Sequence, residues 1–158
     1  MKHPFGPLYS RESRVLILGS FPSVRSREQH FFYGHPQNRF WKVISVLFHQ
    51  DIPTTIEQKK ELILGNRLAL WDVVASCEIR GSSDASIREV QANDLSIILN
   101  QCPIRLICCN GKTSWSLYEK LIRPAVGREA VCLPSTSPAN AHWSLERLEE
   151  AWGVILEQ

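Results

Sequence analysis

Between Phe31 and Trp41 the chain reads Phe-Phe-Tyr-Gly-His-Pro-Gln-Asn-Arg-Phe-Trp. Five of these eleven residues (Phe31, Phe32, Tyr33, Phe40, Trp41) are aromatic, and turn-forming and hydrogen-bonding residues separate them. A segment that only filled a core would not carry so many polar residues. A plain surface loop would not carry so much ring area, because exposed rings gain nothing from water. The mixture suits a surface that stacks flat rings and hydrogen-bonds their edges, as nucleobases require. Four other places offer small or polar groups of the same kind: Gly19-Ser20-Phe21-Pro22-Ser23, Asp72, Asn110-Gly111 and Pro134-Ser135-Thr136-Ser137.

The elements around these residues explain how they meet. Val15 to Leu18 is a short continuous apolar run, the pattern of a strand buried on both faces of a parallel sheet. Arg67 to Val74, Ile104 to Cys109 and Ala130 to Leu133 read the same way. Helices are expected over residues 39–49, 54–64, 114–121 and 145–156. A further helix, ending at Asn100, begins near an Asn93-Asp94 cap. Pro124 should end the helix over residues 114–121. Met1 to Arg14 reads as irregular, and Cys77 to Ser86 as a polar loop. The alternation predicts an α/β fold of three α-β-α layers around a four-stranded parallel sheet, as one domain over residues 1–158. Each strand ends in one of the small or polar segments, so all of them should converge on the carboxyl edge of the sheet, where open α/β sheets bind ligands.

Composition narrows the function. The net charge of +2 is unevenly placed: residues 1–50 carry seven basic and two acidic residues, residues 51–100 five and eight, and residues 101–158 six of each. A basic first third beside aromatics fits a polyanion, although a solvated face fits as well. The five cysteines show no metal-ligand spacing and read as reduced, structural residues in an intracellular protein. No signal peptide or membrane-length apolar run is present, so the expected location is cytoplasmic or nucleoid-associated. Gly111-Lys112-Thr113 resembles the tail of a phosphate-binding loop, but the position needing the first glycine is Leu106. A nucleophile elbow, a dinucleotide fingerprint and a HExxH helix are also missing. The chemistry is therefore expected to need no cofactor, metal or covalent nucleophile.

The order of motifs then carries a family likeness. A strand followed by Gly19-Ser20-Phe21-Pro22-Ser23, the run His35-Pro36-Gln37-Asn38-Arg39-Phe40-Trp41-Lys42-Val43, and a last strand leading into Pro134-Ser135-Thr136-Ser137-Pro138 together resemble the uracil-DNA glycosylase superfamily. The run from His35 is similar to the mismatch-specific uracil enzymes. The first loop is closer to the hypoxanthine (deoxyinosine) DNA glycosylase branch. The resemblance implies monofunctional hydrolysis of the N-glycosidic bond of a flipped, deaminated base in base excision repair, with hypoxanthine as the first candidate. It also implies DNA as partner, a monomer, and no membrane, metal or iron–sulfur cluster. Two departures stand out: the first loop lacks the usual water-activating Asp or Asn, and the last loop lacks the usual His. A mismatch uracil glycosylase and a non-catalytic nucleic-acid-binding module on the same fold are the rival readings.

Within that resemblance Asn38 is the first choice for catalysis, orienting water or the base, though it equally suits a cap of the helix that begins at Arg39. Ser20 is assigned beside it as a small donor to water. Phe21, Pro22 and Ser23 line the substrate or form a tight turn. Tyr33, with Phe32 as its alternate, is the expected stacking platform, while Phe40 and Trp41 pack in the core. Asp72 and Asn110 are placed as base-edge contacts or structural partners. Pro134, Ser135, Thr136 and Ser137 are expected to touch DNA phosphates or to be a solvent loop. Arg25, Arg27 and Arg39 are further phosphate candidates, and His35 reads as structural. Arg80, Ser82 and Asp84 would contact DNA or one another.

Overall fold

Four apolar runs form the strands of one sheet, and nearly every residue of the first two is sealed from water. The computed structural model describes residues 1–78 and 88–158; Arg80, Ser82 and Asp84 lie outside them. The chain enters with β1 (Val15–Gly19), α1 (Val24–Gln29), α2 (Phe40–Leu47) and α3 (Ile56–Gly65). It continues through β2 (Leu68–Asp72), β3 (Val74–Glu78), β4 (Arg88–Ala92) and α4 (Ser96–Leu99). β5 (Leu106–Asn110), α5 (Lys112–Leu117), α6 (Arg123–Val126), β6 (Val131–Leu133) and α7 (Leu145–Trp152) complete it. The main sheet has the order β2-β1-β5-β6, parallel throughout. β1 and β2 are buried at every position, so both faces are covered, as the three-layer expectation requires. Fully burying a Leu or Ile contributes about 1.5–3 kcal/mol each. Leu16, Ile17, Leu18, Leu68 and Leu70 therefore form the stable base from which the strand-end loops project.

α2 and α7 close over one end of this core. Phe40, with no exposed surface, meets the Trp152 ring edge-on at 5.9 Å. Trp41 is buried beneath Phe31, which stacks on it at 6.1 Å. Trp152 Nε1 donates to the Pro134 carbonyl at 2.9 Å, tying the last helix to the loop that leaves β6. Leu148 and Trp152 form the buried face of α7, as the periodicity predicts, while Ile155 is buried in the 3₁₀ turn Gly153–Glu157 that follows, so the α-helix expected over 145–156 stops at Trp152.

Several expectations are corrected. α1 is a helix without an apolar stripe: Ser23 Oγ caps it by accepting the Ser26 N–H, and His30 closes it in the left-handed region at φ 53°. The expected loop from Cys77 begins inside a strand, since β3 pairs antiparallel with β4 in a second sheet. Pro124 does not end its helix. The π-helical turn Tyr118–Ile122, closed by the Arg123 N–H on the Tyr118 carbonyl, passes the chain into α6, which Gly127 stops at φ 72°. A wider turn relieves the clash that a proline ring makes with the preceding turn. Asp94 caps α4 through the Ser96 N–H, whereas Asn93 turns inward. Cys132 is exposed, because it lies on the edge strand β6, whose only buried residue is Leu133.

Candidate active site

The site grows from the register of three adjacent strands. Gly19 pairs with Asp72 across β1 and β2, and Leu18 pairs with Cys109 across β1 and β5. Asp72, Gly19 and Asn110 therefore lie side by side at the carboxyl edge, each about 4.8 Å from the next. Gly19 is required here by close approach. A Cβ at this position would collide with Asp72 Oδ1 and lie 3.2 Å from Tyr33 Oη.

Above this row the Phe31–Trp41 segment and the β6 loop are locked together by Thr136. This residue has no exposed surface, and all of its polar groups are engaged. Its N–H donates to Asn110 Oδ1 at 3.0 Å, and its carbonyl accepts the Arg39 N–H at 3.0 Å. Its hydroxyl accepts from Asn110 Nδ2 at 3.0 Å and donates to Asn38 Oδ1 at 2.8 Å. Asn38 Oδ1 also accepts the Phe40 N–H at 2.9 Å, so it caps the start of α2. The backbone donor fixes which end of the amide is oxygen. With its acceptor engaged twice, Asn38 offers the edge a donor, the Nδ2 group, which has no protein partner among the described residues. The cap uses the oxygen end of this amide and leaves the nitrogen end available.

Tyr33 takes the left-handed conformation at φ 51°, which is uncommon for a large residue and turns it away from its neighbour Phe32. Its ring stacks on Phe40 at 4.0 Å with an interplanar angle of 22°. Tyr33 is partly exposed, yet its hydroxyl is buried and has no hydrogen-bond partner among the described residues. What it shows to solvent is therefore ring or main chain. Burial pushes the Tyr33 hydroxyl well above the usual tyrosine range, and the nearby Asp72 charge pushes it further; Asn110 offsets part of this.

Asp72 is buried, and its Oδ2 lies 2.7 Å from His3 Nε2. His3 is the functional candidate that sequence reasoning missed. It stands in an irregular amino-terminal segment 69 residues from its partner, and nothing local marks it. Asn93 supports the same corner, donating from Nδ2 to the carbonyls of Asp72 and Val74 at 2.9 and 3.2 Å.

The remaining candidates divide. Ser20 is almost wholly buried at the start of the first loop, and Pro22 is buried. Phe21 meets the His3 ring edge-on at 5.8 Å and lies under the Arg27 guanidinium. Ser23 is occupied as the α1 cap. Phe32, with 3% exposure, packs edge-on against Phe5 at 4.8 Å; it belongs to the core and gives no platform. Thr136 offers no surface to a phosphate, because its hydroxyl holds Asn38. Pro134, Ser135 and Ser137 remain partly exposed. Ser135 Oγ accepts the Ser137 N–H, and Ser137 Oγ accepts the Ala139 N–H, so both stiffen the loop. Arg39 is likewise a clamp: its guanidinium donates to the carbonyls of Trp143 and Asn140. His35 accepts the Gln37 N–H within its own turn, and Arg25 is an exposed cation beside Glu28. Among the described residues no cluster of His, Cys, Asp or Glu is arranged to hold a metal ion. An open hollow of about 730 Å³ lies elsewhere, between Arg11 and α3, away from this edge.

A parallel α/β sheet with a tyrosine, an asparagine and a buried aspartate grouped at its carboxyl edge defines a layered α/β domain. A family model described as the uracil DNA glycosylase superfamily matches residues 7–155. The chain is 34% identical over 159 residues to "Hypoxanthine DNA glycosylase" of Methanosarcina barkeri (strain Fusaro / DSM 804), covering 99% of both chains. It is 34% identical over 157 residues to the protein of the same name from Methanosarcina acetivorans, covering 98% of both. A solution NMR structure from Methanosarcina acetivorans, provisionally titled a uracil DNA glycosylase, superposes with a TM-score of 0.81 at 31% identity, covering 98% of each chain. The chain belongs to the uracil DNA glycosylase superfamily.

Proposed function

We propose that this protein is a monofunctional DNA glycosylase that hydrolyses the N-glycosidic bond of deaminated nucleotides, hypoxanthine foremost, in base excision repair. The relatives' name supports the substrate, and one observation carries the chemistry: an amide donor, Asn38 Nδ2, held at the carboxyl edge with its acceptor locked by Phe40 and Thr136. Cleavage gives the sugar oxocarbenium character while the bond electrons pass to the base. A donor aimed at the ring's acceptor edge stabilises that developing negative charge. One such preorganised donor accounts for about 10²–10³ in rate.

The other groups prepare the substrate. Flipping a nucleotide out of the duplex costs a few kcal/mol, least at a mispaired base, and stacking on an aromatic ring returns about 1–3 kcal/mol. Tyr33, backed by Phe40, supplies the ring. Pro134, Ser135 and Ser137 form a stiff loop whose small donors suit the DNA backbone, and rigidity lowers the ordering cost of binding.

The test is a set of duplexes carrying hypoxanthine, uracil, xanthine or thymine opposite each base, assayed for alkali-labile abasic sites. The expected result is cleavage fastest at hypoxanthine. Faster cleavage of G·U pairs would make the protein a mismatch uracil glycosylase, and binding with every duplex left alkali-stable would make it a non-catalytic module.

A further inference from the structure

Hydrolysis needs a group to take a proton from water, and Asn38 does not serve, because its oxygen is already engaged by two donors. The acid at this edge among the described residues is Asp72, and it is prepared for more than structure. The side chains of His3 and Asp72 are only 4% and 5% exposed. His3 Nδ1 accepts the Phe5 N–H at 3.3 Å, so the ring hydrogen belongs on Nε2, where it is donated to Asp72 Oδ2 at 2.7 Å. Phe5, Phe21 and Phe32 surround the imidazole at 4.5, 5.8 and 6.5 Å between ring centroids. Such packing restricts the ring. Asp72 Oδ1, by contrast, has no protein partner among the described residues, and it lies against the point where a Cβ of Gly19 would stand. Tyr33 Oη, buried and also without a hydrogen-bond partner among the described residues, is 3.2 Å from that same point. A water bridging Oδ1 and Oη would give each of them a hydrogen bond.

We propose that Asp72 is the general base of the reaction and that His3 is its positioning residue. Asp72 Oδ1 takes one proton from a water held beside Tyr33 Oη, and that water's oxygen bonds to C1′ of the sugar. The C1′–N bond breaks, and its electron pair leaves with the base, which Asn38 holds. The base then takes a proton from solvent, and Asp72 returns its own. This inference rests on the glycosylase reading and changes the role expected of Asp72, from reading a base edge to acting on water.

Single-turnover excision with Asp72→Asn provides the test, because the amide keeps the shape and can still accept from His3. General-base catalysis is worth about 10²–10⁴ in rate. The variant should excise hypoxanthine at least about 100-fold more slowly, lose every other substrate in the same proportion, and bind the damaged duplex as the native protein does. A rate within about fivefold of wild type, or a loss confined to hypoxanthine, overturns the assignment. If Asp72→Asn does not fold, Gly19→Ala decides, since the added methyl displaces Oδ1 while Asp72 and His3 remain; a wild-type rate there also overturns it. His3→Ala should slow excision about 10- to 100-fold through misplacement of the carboxylate. His3→Gln, which can still donate to Oδ2, should recover most of that loss, and equal rates in the two variants contradict the positioning role. A wild-type protein that releases no base overturns the glycosylase reading and this inference with it. An active wild type with an unimpaired Asp72→Asn overturns this inference alone.

Discussion

Replacing Asn38 by Asp separates the two jobs that one side chain performs. The carboxylate is nearly isosteric, and it can still accept the Phe40 N–H and the Thr136 hydroxyl, now at 2.9 and 2.8 Å. Asp and Asn are equivalent as N-caps, so the start of α2 should keep its stability within about 0.5 kcal/mol. For a domain of this length that is a shift of no more than about 2 °C in Tm. The donor, however, is gone, and a negative charge faces the departing base. Loss of one preorganised donor costs about 10²–10³ in rate, and repulsion adds to it. Asn38→Ala makes the contrast, because it removes the cap as well and leaves the buried Thr136 hydroxyl without its acceptor. It should therefore lose about 1–3 kcal/mol of stability together with its activity. Calorimetry and single-turnover excision of a deoxyinosine duplex measure the two quantities independently. If Asn38→Asp excises at the wild-type rate, the donor is not used, and the assignment of Asn38 to the leaving base is refuted.

Thr136→Val removes a buried hydroxyl that joins Asn110 to Asn38 and should cost about 1–3 kcal/mol in thermal unfolding, with Thr136→Ser restoring most of it. Tyr33→Phe deletes a buried hydroxyl that has no hydrogen-bond partner among the described residues; it should be as stable as wild type or more so and excise only severalfold more slowly, whereas Tyr33→Ala should lose far more activity, and equal losses would implicate the hydroxyl alone. Burial raises the pKa of Tyr33, and less strongly of Tyr118, so the unfolded chain loses these protons first. Their stabilising effect is complete below about pH 10 and erodes above it, and Tyr33→Phe should flatten that alkaline slope in chemical denaturation. In the native protein a thiol reagent at pH 8 should label Cys132, which is exposed, and spare Cys108 and Cys109, whose thiols burial pushes up to about 12.

Much of the scaffold was legible because parallel strands buried on both faces announce themselves as unbroken apolar runs, as β1 and β2 do; β5 and β6 carry the same apolar runs, although β6 is an exposed edge strand. α1 was not legible: Val24-Arg25-Ser26-Arg27-Glu28-Gln29 has a single apolar residue, and its ends are set by Ser23 and by the left-handed His30. Tyr33 and Phe32 are chemically alike and adjacent. Only the backbone turn at Tyr33 decides that one ring reaches the edge while the other is buried. Thr136 was misread because a Ser-Thr-Pro loop has the same composition whether it faces phosphate or seals a network, and its partners Asn110 and Asn38 lie 26 and 98 residues away. The His3–Asp72 pair was hidden for the same reason: it joins an irregular terminus to a strand end, and no periodicity records such a contact.

The proposed chemistry releases an intact base from DNA by hydrolysis. Mass spectrometry of the small-molecule fraction after incubation with a deoxyinosine duplex tests it most directly. One equivalent of free hypoxanthine for each alkali-labile site, with no strand break before alkali, is the predicted result. Release of a nucleoside or nucleotide in its place, strand scission without free base, or an unchanged duplex would contradict it.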